Sequence, residues 1–381
     1  MGVPGKTIFE TLQARDDHRA QALMHAAIKC ADRPLHSTAP NPRVGCVISD
    51  YTGDIIAEGW HDGAGTVHAE AMALASARER ARGAIAFVTL EPCNHTGRTA
   101  PCVDALIQSG IAEVVFAIAD PNPVAAGGAA RLRDAGVIVT GGFLEHEARI
   151  ANRAWLKWVS SKQPYVVSKV AMSLDGRIAT AQGESQWITN DRSRQAGHLL
   201  RMRADAIITG ADTVIADDPA LTARLGDVTM SPLRVVLDTA GRTSPSARVF
   251  EKSSAGTLLI ATDQIAPARA DQFREHGVEV LIASSDRNAR PDLAFVLSTL
   301  GTREIVNVML ECGGVLNGAF FDAGLVDEYH FHMAPKVIGG GSMAFGGTGI
   351  DALAQADQYS IEPVATDHSD FHFRAIRKEA A

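Results

Sequence analysis

Cysteine is scarce in this chain: there are five in 381 residues, Cys30, Cys46, Cys93, Cys102 and Cys312. So few, and an odd number, argue against the disulfide framework of a secreted scaffold, and a reducing cytoplasm fits better. No window of about 18 consecutive apolar residues occurs, so no membrane span is expected. The opening stretch MGVPGKTIFETLQARDD lacks the apolar centre of a signal peptide, and Lys6 stands where a myristoylation motif wants Ser or Thr. No block of Lys or Arg appears either. With 36 basic against 44 acidic residues and a net charge of -8, neither nucleic acid nor a lipid surface is an expected partner. Internal repeats and low-complexity tracts are also missing. What remains is an ordinary folding composition, 46% hydrophobic and 21% charged, in a chain long enough for two cores.

From Asp16 to Ala31 the apolar residues Ala22, Leu23, Ala26, Ala27 and Cys30 recur at helical spacing. Two strands follow, VGCVIS (44–49) and DIIAEG (54–59), with DYTG supplying turn residues for a hairpin. Helix and strand then alternate through HAEAMALASARER, AIAFVTL, Pro101 to Ser109, AEVVFAIA, Ala129 to Ala135 and VIVT. This pattern predicts a three-layer α/β domain closing near residue 145. A charged helix-forming segment, 143–164, ends at Pro164 and marks the boundary, giving domains 1–145 and 146–381. In the second domain YVVSKVAM, DAIITG, LRVVLD, TLLIAT, VEVLIA, IVNVMLE and EYHFHM read as strands covered on both faces.

The first chemical constellation is HAE at 68–70 with TLEPCNHTGRTAPC at 89–102. Zinc favours sulfur and imidazole, and a catalytic site keeps three protein ligands and one open position. His68, Cys93 and Cys102 supply three. A His-x-Glu followed by Pro-Cys and a second Cys is the order found in zinc-dependent nucleobase deaminases, where the glutamate moves protons and does not ligate. Glu70 and Pro92-Cys93 stand in those places. With His68 and the cysteines at the N-termini of two consecutive helices, positive helix ends would help to keep the thiolates deprotonated. Each residue alone has a plainer reading, the cysteines as small buried hydrophobes and the histidine as a satisfied core residue. The general pattern puts two residues between the cysteines, and here eight intervene, NHTGRTAP.

Taken with APNPRVGCVI (39–48), GWHDGAGTVHAE (59–70) and DPNP (120–123), these residues resemble the riboflavin-pathway pyrimidine deaminase family, whose motif carries this long insertion. The resemblance implies a cytidine-deaminase-like domain that binds zinc through His68, Cys93 and Cys102, with Glu70 as catalytic proton shuttle. A metal-bound water would have its pKa lowered towards neutrality. Asn41 would help to orient the pyrimidine, His61 less directly, and His95 and Arg98 would line the same pocket. Where the family shows an Arg between two glycines after DPNP, this chain reads VAAGGAA (124–130), which weakens a phosphate contact there.

The second constellation comprises SKVAMSLDGRIATAQGESQWIT (168–189), HLLRMRADAIITGADTVIADDPALTAR (198–224), RVVLDT (234–239) and ECGGVLNGAFFDAGLVDEYHFHMAPKVIGGG (311–341). Gly313-Gly314 breaks a strand into a helix, a geometry whose free amides can hold a phosphate, although paired glycines are also ordinary turns. Together these blocks resemble the reductase domain of the same bifunctional family, similar in fold to dihydrofolate reductase and dependent on NADPH. By that resemblance Ala171, Trp187, Thr213, Asp217, Thr239 and the run Gly313, Gly314, Val315, Leu316, Asn317, Gly318 and Ala319 contact the cofactor. Ser185, Arg201, Leu221, Arg224 and Glu311 contact the substrate, a pyrimidine ribosyl phosphate. Asp212, in GADTV, stands where the family commonly has glycine and, if it nears the cofactor, would alter how tightly the phosphates sit. The expected enzyme is therefore α/β throughout, cytoplasmic, a homo-oligomer, and active as a deaminase and then a reductase of the ribosyl chain. Two other readings stay open here: a tRNA-type deaminase, which the acidic balance disfavours, and a protein stapled by structural zinc, which generally wants four ligands.

Overall fold

The computed structural model describes residues 7–14, 18–95, 100–366 and 369–378. The chain divides into two compact units, Met1–Ser161 and Lys162–Ala381.

In the first unit the elements run α1 (Ile8–Gln13), α2 (Arg19–Ala31), β1 (Gly45–Ser49), β2 (Ile55–Trp60), α3 (Ala69–Ala77), β3 (Ile85–Leu90), α4 (Cys102–Gln108), β4 (Glu113–Ile118), α5 (Gly128–Asp134), β5 (Ile138–Gly141) and α6 (Glu145–Ser161). The sheet order is β2-β1-β3-β4-β5, with β1 antiparallel to β2 and β3 and the rest parallel. The runs GCVIS, IAFVTL and EVVFAI are buried along their whole length because helices cover both faces. One face carries α1, α2 and α6; on the other, Ala73, Leu74, Val103, Leu106 and Leu132 from α3, α4 and α5 pack on Cys46, Ile48, Ala86 and Val88. The sequence reading overlooks α1. This short helix is held by tertiary contacts: Glu113 accepts from the Phe9 amide at 2.9 Å, and Phe9 meets Phe143 edge-on with ring centroids 4.9 Å apart. The helix read as a linker, α6, packs on α2 and β4. Its Asn152 accepts from the Arg43 amide at 2.8 Å and donates to the Arg43 carbonyl at 2.7 Å.

The second unit runs β6 (Tyr165–Ser173), α7 (Asp191–Arg203), β7 (Ala206–Gly210), α8 (Ala211–Asp217), β8 (Ala223–Leu225), β9 (Val228–Met230), β10 (Leu233–Leu237), β11 (Thr257–Ala261), α9 (Pro267–Glu275), β12 (Glu279–Ile282), α10 (Leu293–Thr302), β13 (Asn307–Leu310), α11 (Gly314–Asp322), β14 (Glu328–Ala334), β15 (Tyr359–Thr366) and β16 (Phe371–Arg377). Nine strands form one sheet, β12-β11-β10-β7-β13-β6-β14-β16-β15. It is parallel from β12 to β14, and β16 and β15 add an antiparallel edge. All seven strands expected from sequence are present. One face buries Val166, Val170, Ile208, Leu310, Leu297 and Phe320, the other Ile207, Val236, Leu259, Met309 and Phe273.

Candidate active sites

In the first unit, α3 lies so close to β2 that a Cβ on Gly59 would sit 2.1 Å from the Ala69 carbonyl oxygen. Only glycine permits that approach, and it seats His68, at the N-cap of α3, and Glu70 beside the end of β3. His68 Nδ1 lies 3.2 Å from Cys102 Sγ and 3.6 Å from Cys93 Sγ, and the three donor atoms fall within 4.8 Å of one another. Ordinary Zn–S and Zn–N bonds in a tetrahedron put donor atoms roughly 3.5 Å apart, so the set fits zinc. Cys102 opens α4, as expected. Cys93 does not open a helix: it follows β3, which ends at Leu90, and α4 begins only at Cys102. Its thiol is nevertheless held well below the usual range by hydrogen bonding from Cys102 and by His68.

Glu70 is 4% exposed. Burial, reinforced by the charge of Cys93, pushes its carboxyl up to about 7. The sequence pairs Asn41 and His61 only loosely, whereas the structure joins them: Asn41 Nδ2 donates to His61 Nε2 at 3.0 Å, and His61 Nδ1 donates to the Val67 carbonyl at 3.2 Å. That tautomer leaves the Asn41 side-chain oxygen as the free acceptor. The His61 ring stands edge-on to His68, 5.3 Å between centroids. His95 is half-buried just beyond Cys93, and Arg98 lies outside the described residues. In the stretch 124–130 a Cβ on Gly128 would meet the Pro92 carbonyl oxygen at 1.8 Å, so glycine there permits a close helix–loop contact next to Cys93. Glu91 completes the clamp, accepting from the Ala129 amide at 2.9 Å and from Asp120 at 3.2 Å.

The second unit carries a cleft of about 1070 Å³ at the C-terminal ends of β13, β7 and β10, where open parallel sheets bind ligands. It gathers Ala171, Trp187, Thr213, Asp217, Thr239, Gly313, Gly314, Val315, Leu316, Asn317 and Ala319, and also Ser185, Arg201, Leu221, Arg224 and Glu311. Gly318 is not among its lining; it faces away, where a Cβ would stand 2.1 Å from the Gly347 amide nitrogen. Asn317 is 3% exposed and its amide is engaged, accepting from Ser168 Oγ and donating to the Ala344 carbonyl, each at 2.8 Å. Leu221, at 2% exposure, is mainly core. Trp187 is 63% exposed beneath the Arg194 guanidinium, 4.5 Å from the ring centroid. Ser185 donates to Asp217 at 3.1 Å, and the Gly313 amide donates to Thr213 Oγ1 at 3.0 Å.

Helix α11 has no side-chain cap, and the residues of its first turn, Gly314, Val315 and Leu316, line the cleft. Their unsatisfied amides suit the diphosphate of a dinucleotide. Deeper in, Arg201 and Glu311 form a bidentate pair. Beside them lies Lys169, which sequence reasoning passed over; burial lowers its ammonium pKa, and Glu311 partly offsets this. A charged residue inside the otherwise apolar run YVVSKVAM was the available signal.

Residues 17–118 match the cytidine and deoxycytidylate deaminase zinc-binding region, and residues 164–368 match the RibD C-terminal domain. The riboflavin biosynthesis protein RibD of Actinobacillus pleuropneumoniae is 42% identical over 342 residues, 89% of this chain and 90% of that protein. RibD of Escherichia coli K12 is 40% identical over 356 residues, 90% of this chain and 95% of its own. Among solved structures, Acinetobacter baumannii RibD superposes with a TM-score of 0.82 at 38% identity, covering 95% of this chain and 99% of that one. The diaminohydroxyphosphoribosylaminopyrimidine deaminase/5-amino-6-(5-phosphoribosylamino)uracil reductase of Thermotoga maritima gives 0.82 at 34% identity, covering 96% and 100%.

Proposed function

The chain belongs to the RibD family of riboflavin biosynthesis proteins, bifunctional deaminase–reductases, and from that premise we propose which residues carry each reaction. The first unit removes an amino group from a diaminopyrimidine ribosyl phosphate, and the second reduces the ribosyl chain of the product to ribityl. The observation that carries this reading is the convergence of His68, Cys93 and Cys102 beside buried Glu70.

Zinc bound by those three residues supplies a Lewis acid that makes water nucleophilic near neutral pH. Glu70, buried beside the zinc ligands, moves the proton: its carboxylate oxygen takes one from the attacking water and passes it to the departing amine nitrogen. Asn41, oriented by His61, offers its side-chain oxygen to a ring N–H of the pyrimidine. In the second unit NADPH supplies the hydride. The amides of Gly314, Val315 and Leu316 would receive its diphosphate, and Thr213, Asp217 and Thr239 line the same cleft. Hydride addition at C1′ of the ribosylamino group breaks the bond from C1′ to the ring oxygen, which then needs a proton, and Lys169, half-buried beside Glu311, is the donor. Arg224, more exposed, grips the sugar phosphate, a task that suits a guanidinium.

Among the described residues no helix is long and apolar enough to cross a membrane. A cytoplasmic enzyme that self-associates is the accompanying reading, and light scattering of the purified chain measures the second part. The activities are tested by supplying the diaminopyrimidine phosphate with and without NADPH and following ammonia release and NADPH absorbance separately. Ammonia without NADPH, then NADPH oxidation on the deaminated product, is the expected order. Neither signal from folded, zinc-loaded protein would sink the reading.

A further inference from the structure

The cleft of the second unit has two ends. Arg201, Glu311 and Lys169 build the inner one, while Thr239, Arg242, Asp286 and Arg290 lie at the outer one. Across the sheet the strands at its floor run β13, β7, β10, so the outer end is two strands away from Glu311. Resting on the NADPH reading above, the nicotinamide must abut the molecule it reduces at the inner end. The adenosine half therefore extends outward past Thr213 to Thr239.

There Arg242 Nη2 donates to Asp212 Oδ1 at 2.6 Å, with the two side chains 56% and 73% exposed. Both residues line the cleft. Their backbones are anchored. Asp238 accepts from the Arg242 amide at 2.9 Å and from the Thr243 amide at 2.8 Å, while Asp212 sits in α8 directly before Thr213, whose hydroxyl holds Gly313. The exposed side-chain ends keep the freedom to exchange partners. A guanidinium matches a phosphate in charge and geometry, and a carboxylate matches a ribose 2′-hydroxyl but repels a dianion. In dinucleotide sites generally these two residue types divide NADPH from NADH; here both occur, bonded to each other.

We propose that Asp212 and Arg242 together set cofactor selectivity: Arg242 receives the 2′-phosphate of NADPH, and Asp212 competes for that guanidinium and accepts the 2′-hydroxyl of NADH, so the preference for the phosphorylated cofactor is held down. Binding of the 2′-phosphate draws Arg242 away from Asp212, which is left beside a like charge. NADH leaves the pair intact.

The test is calorimetric titration of the full chain with NADPH and NADH, and with adenosine 2′,5′-bisphosphate and AMP, for the unsubstituted protein and for Asp212→Asn, Arg242→Gln and Arg290→Gln. Asp212→Asn is expected to tighten NADPH and the bisphosphate by about fivefold while NADH and AMP weaken or stay the same. Arg242→Gln is expected to weaken the two 2′-phosphorylated ligands by roughly tenfold or more and leave the others unchanged, with steeper salt dependence lost in parallel. A melting temperature equal to that of the parent shows that the variants are folded. If Arg242→Gln binds NADPH as tightly as the parent, or if Arg290→Gln alone carries the loss, the assignment is overturned although the cofactor reading stands. If the unsubstituted chain binds neither NADPH nor NADH, the reductase reading falls and this inference with it.

Discussion

Arg201 reaches Glu311 through two hydrogen bonds of 2.7 Å, Nε to Oε2 and Nη2 to Oε1, and its remaining nitrogen donates to the Thr222 carbonyl at 2.8 Å. Burial raises the Glu311 pKa, but the charge and hydrogen bonds of Arg201, with Lys169, outweigh it and leave the carboxyl at about 2. Because the folded value lies below the ordinary one, the stabilisation is complete above about pH 4.5 and is lost as pH falls towards 2. Arg201→Met leaves a partly buried carboxylate without its partner. It should cost about 2–3 kcal/mol at pH 7 and impair NADPH oxidation while leaving ammonia release intact. Unfolding midpoints and the two assays read this out, and parental values in both would remove the pair from the reductase site.

Glu70 touches the zinc set without joining it, so charge and ligation can be separated. Glu70→Gln should retain about one zinc per chain by elemental analysis and lose nearly all deamination. Ammonia release close to that of the parent would assign the proton transfer to another group.

Gly128 is the point where α5 touches the loop carrying Cys93. Gly128→Ala forces a Cβ to within 1.8 Å of the Pro92 carbonyl oxygen, and backbone must shift to relieve it. A loss of about 1–3 kcal/mol is expected, together with weaker zinc retention in a chelator competition. Unaltered zinc retention would mean that the loop yields elsewhere.

The candidate metal set is legible in sequence because zinc chemistry demands residue types in a fixed order, and the donor atoms of His68, Cys93 and Cys102 lie within 4.8 Å of one another. The parallel strands are legible for a similar reason: burial on both faces leaves uninterrupted β-branched runs. Lys169 escaped because a lysine in such a run reads as an interruption until the sheet face shows it beside Glu311. Strands β15 and β16 escaped because this edge pair is mostly exposed or half-buried and carries no long apolar run, and β15 contains Pro363 at a break in register. Asn317 and Gly318 illustrate the opposite limit, since a motif carried over by resemblance does not say which of its residues face the ligand and which face the core.

The second sheet also has a histidine-rich patch on β14 and β16. His330 Nδ1 lies 3.0 Å from His372 Nε2, and the His332 and His372 rings stack with centroids 4.0 Å apart. His332 is fully buried, and neither of its ring nitrogens has a hydrogen-bond partner. Burial first, then the neighbouring His372, lowers its pKa to about 2. The ring is thus neutral when folded and takes up a proton on unfolding below its ordinary value of about 6.5. Its contribution is complete above that pH and shrinks as pH falls, by about 1.4 kcal/mol at pH 5.5. His332→Leu removes the proton uptake without stranding a polar partner and should flatten the fall in urea midpoint between pH 7.5 and 5.5. An identical slope in parent and variant would show that His332 is not the group responsible.

The two units have separate cores and separate sets of chemical groups, so each should fold and work alone. Helix α6 decides where to cut. A boundary at residue 145 would strip from the first unit the helix whose Asn152 binds both backbone groups of Arg43 and would leave those groups without their partners. Arg43 follows Asn41 by two residues, so the damage would reach the pyrimidine site. A fragment of residues 1–161 is therefore expected to bind zinc and release ammonia at close to the rate of the full chain, and one of residues 1–145 to be less stable and slower. Residues 162–381 should bind NADPH and reduce already deaminated substrate without metal. Circular dichroism melts accompany each assay, so that a loss of fold is not read as a loss of chemistry. A well-folded 162–381 fragment that fails to oxidise NADPH with deaminated substrate, while the intact chain succeeds, would show that the reductase reaction needs groups from the first unit. The assignment of one complete site to each unit would then be wrong.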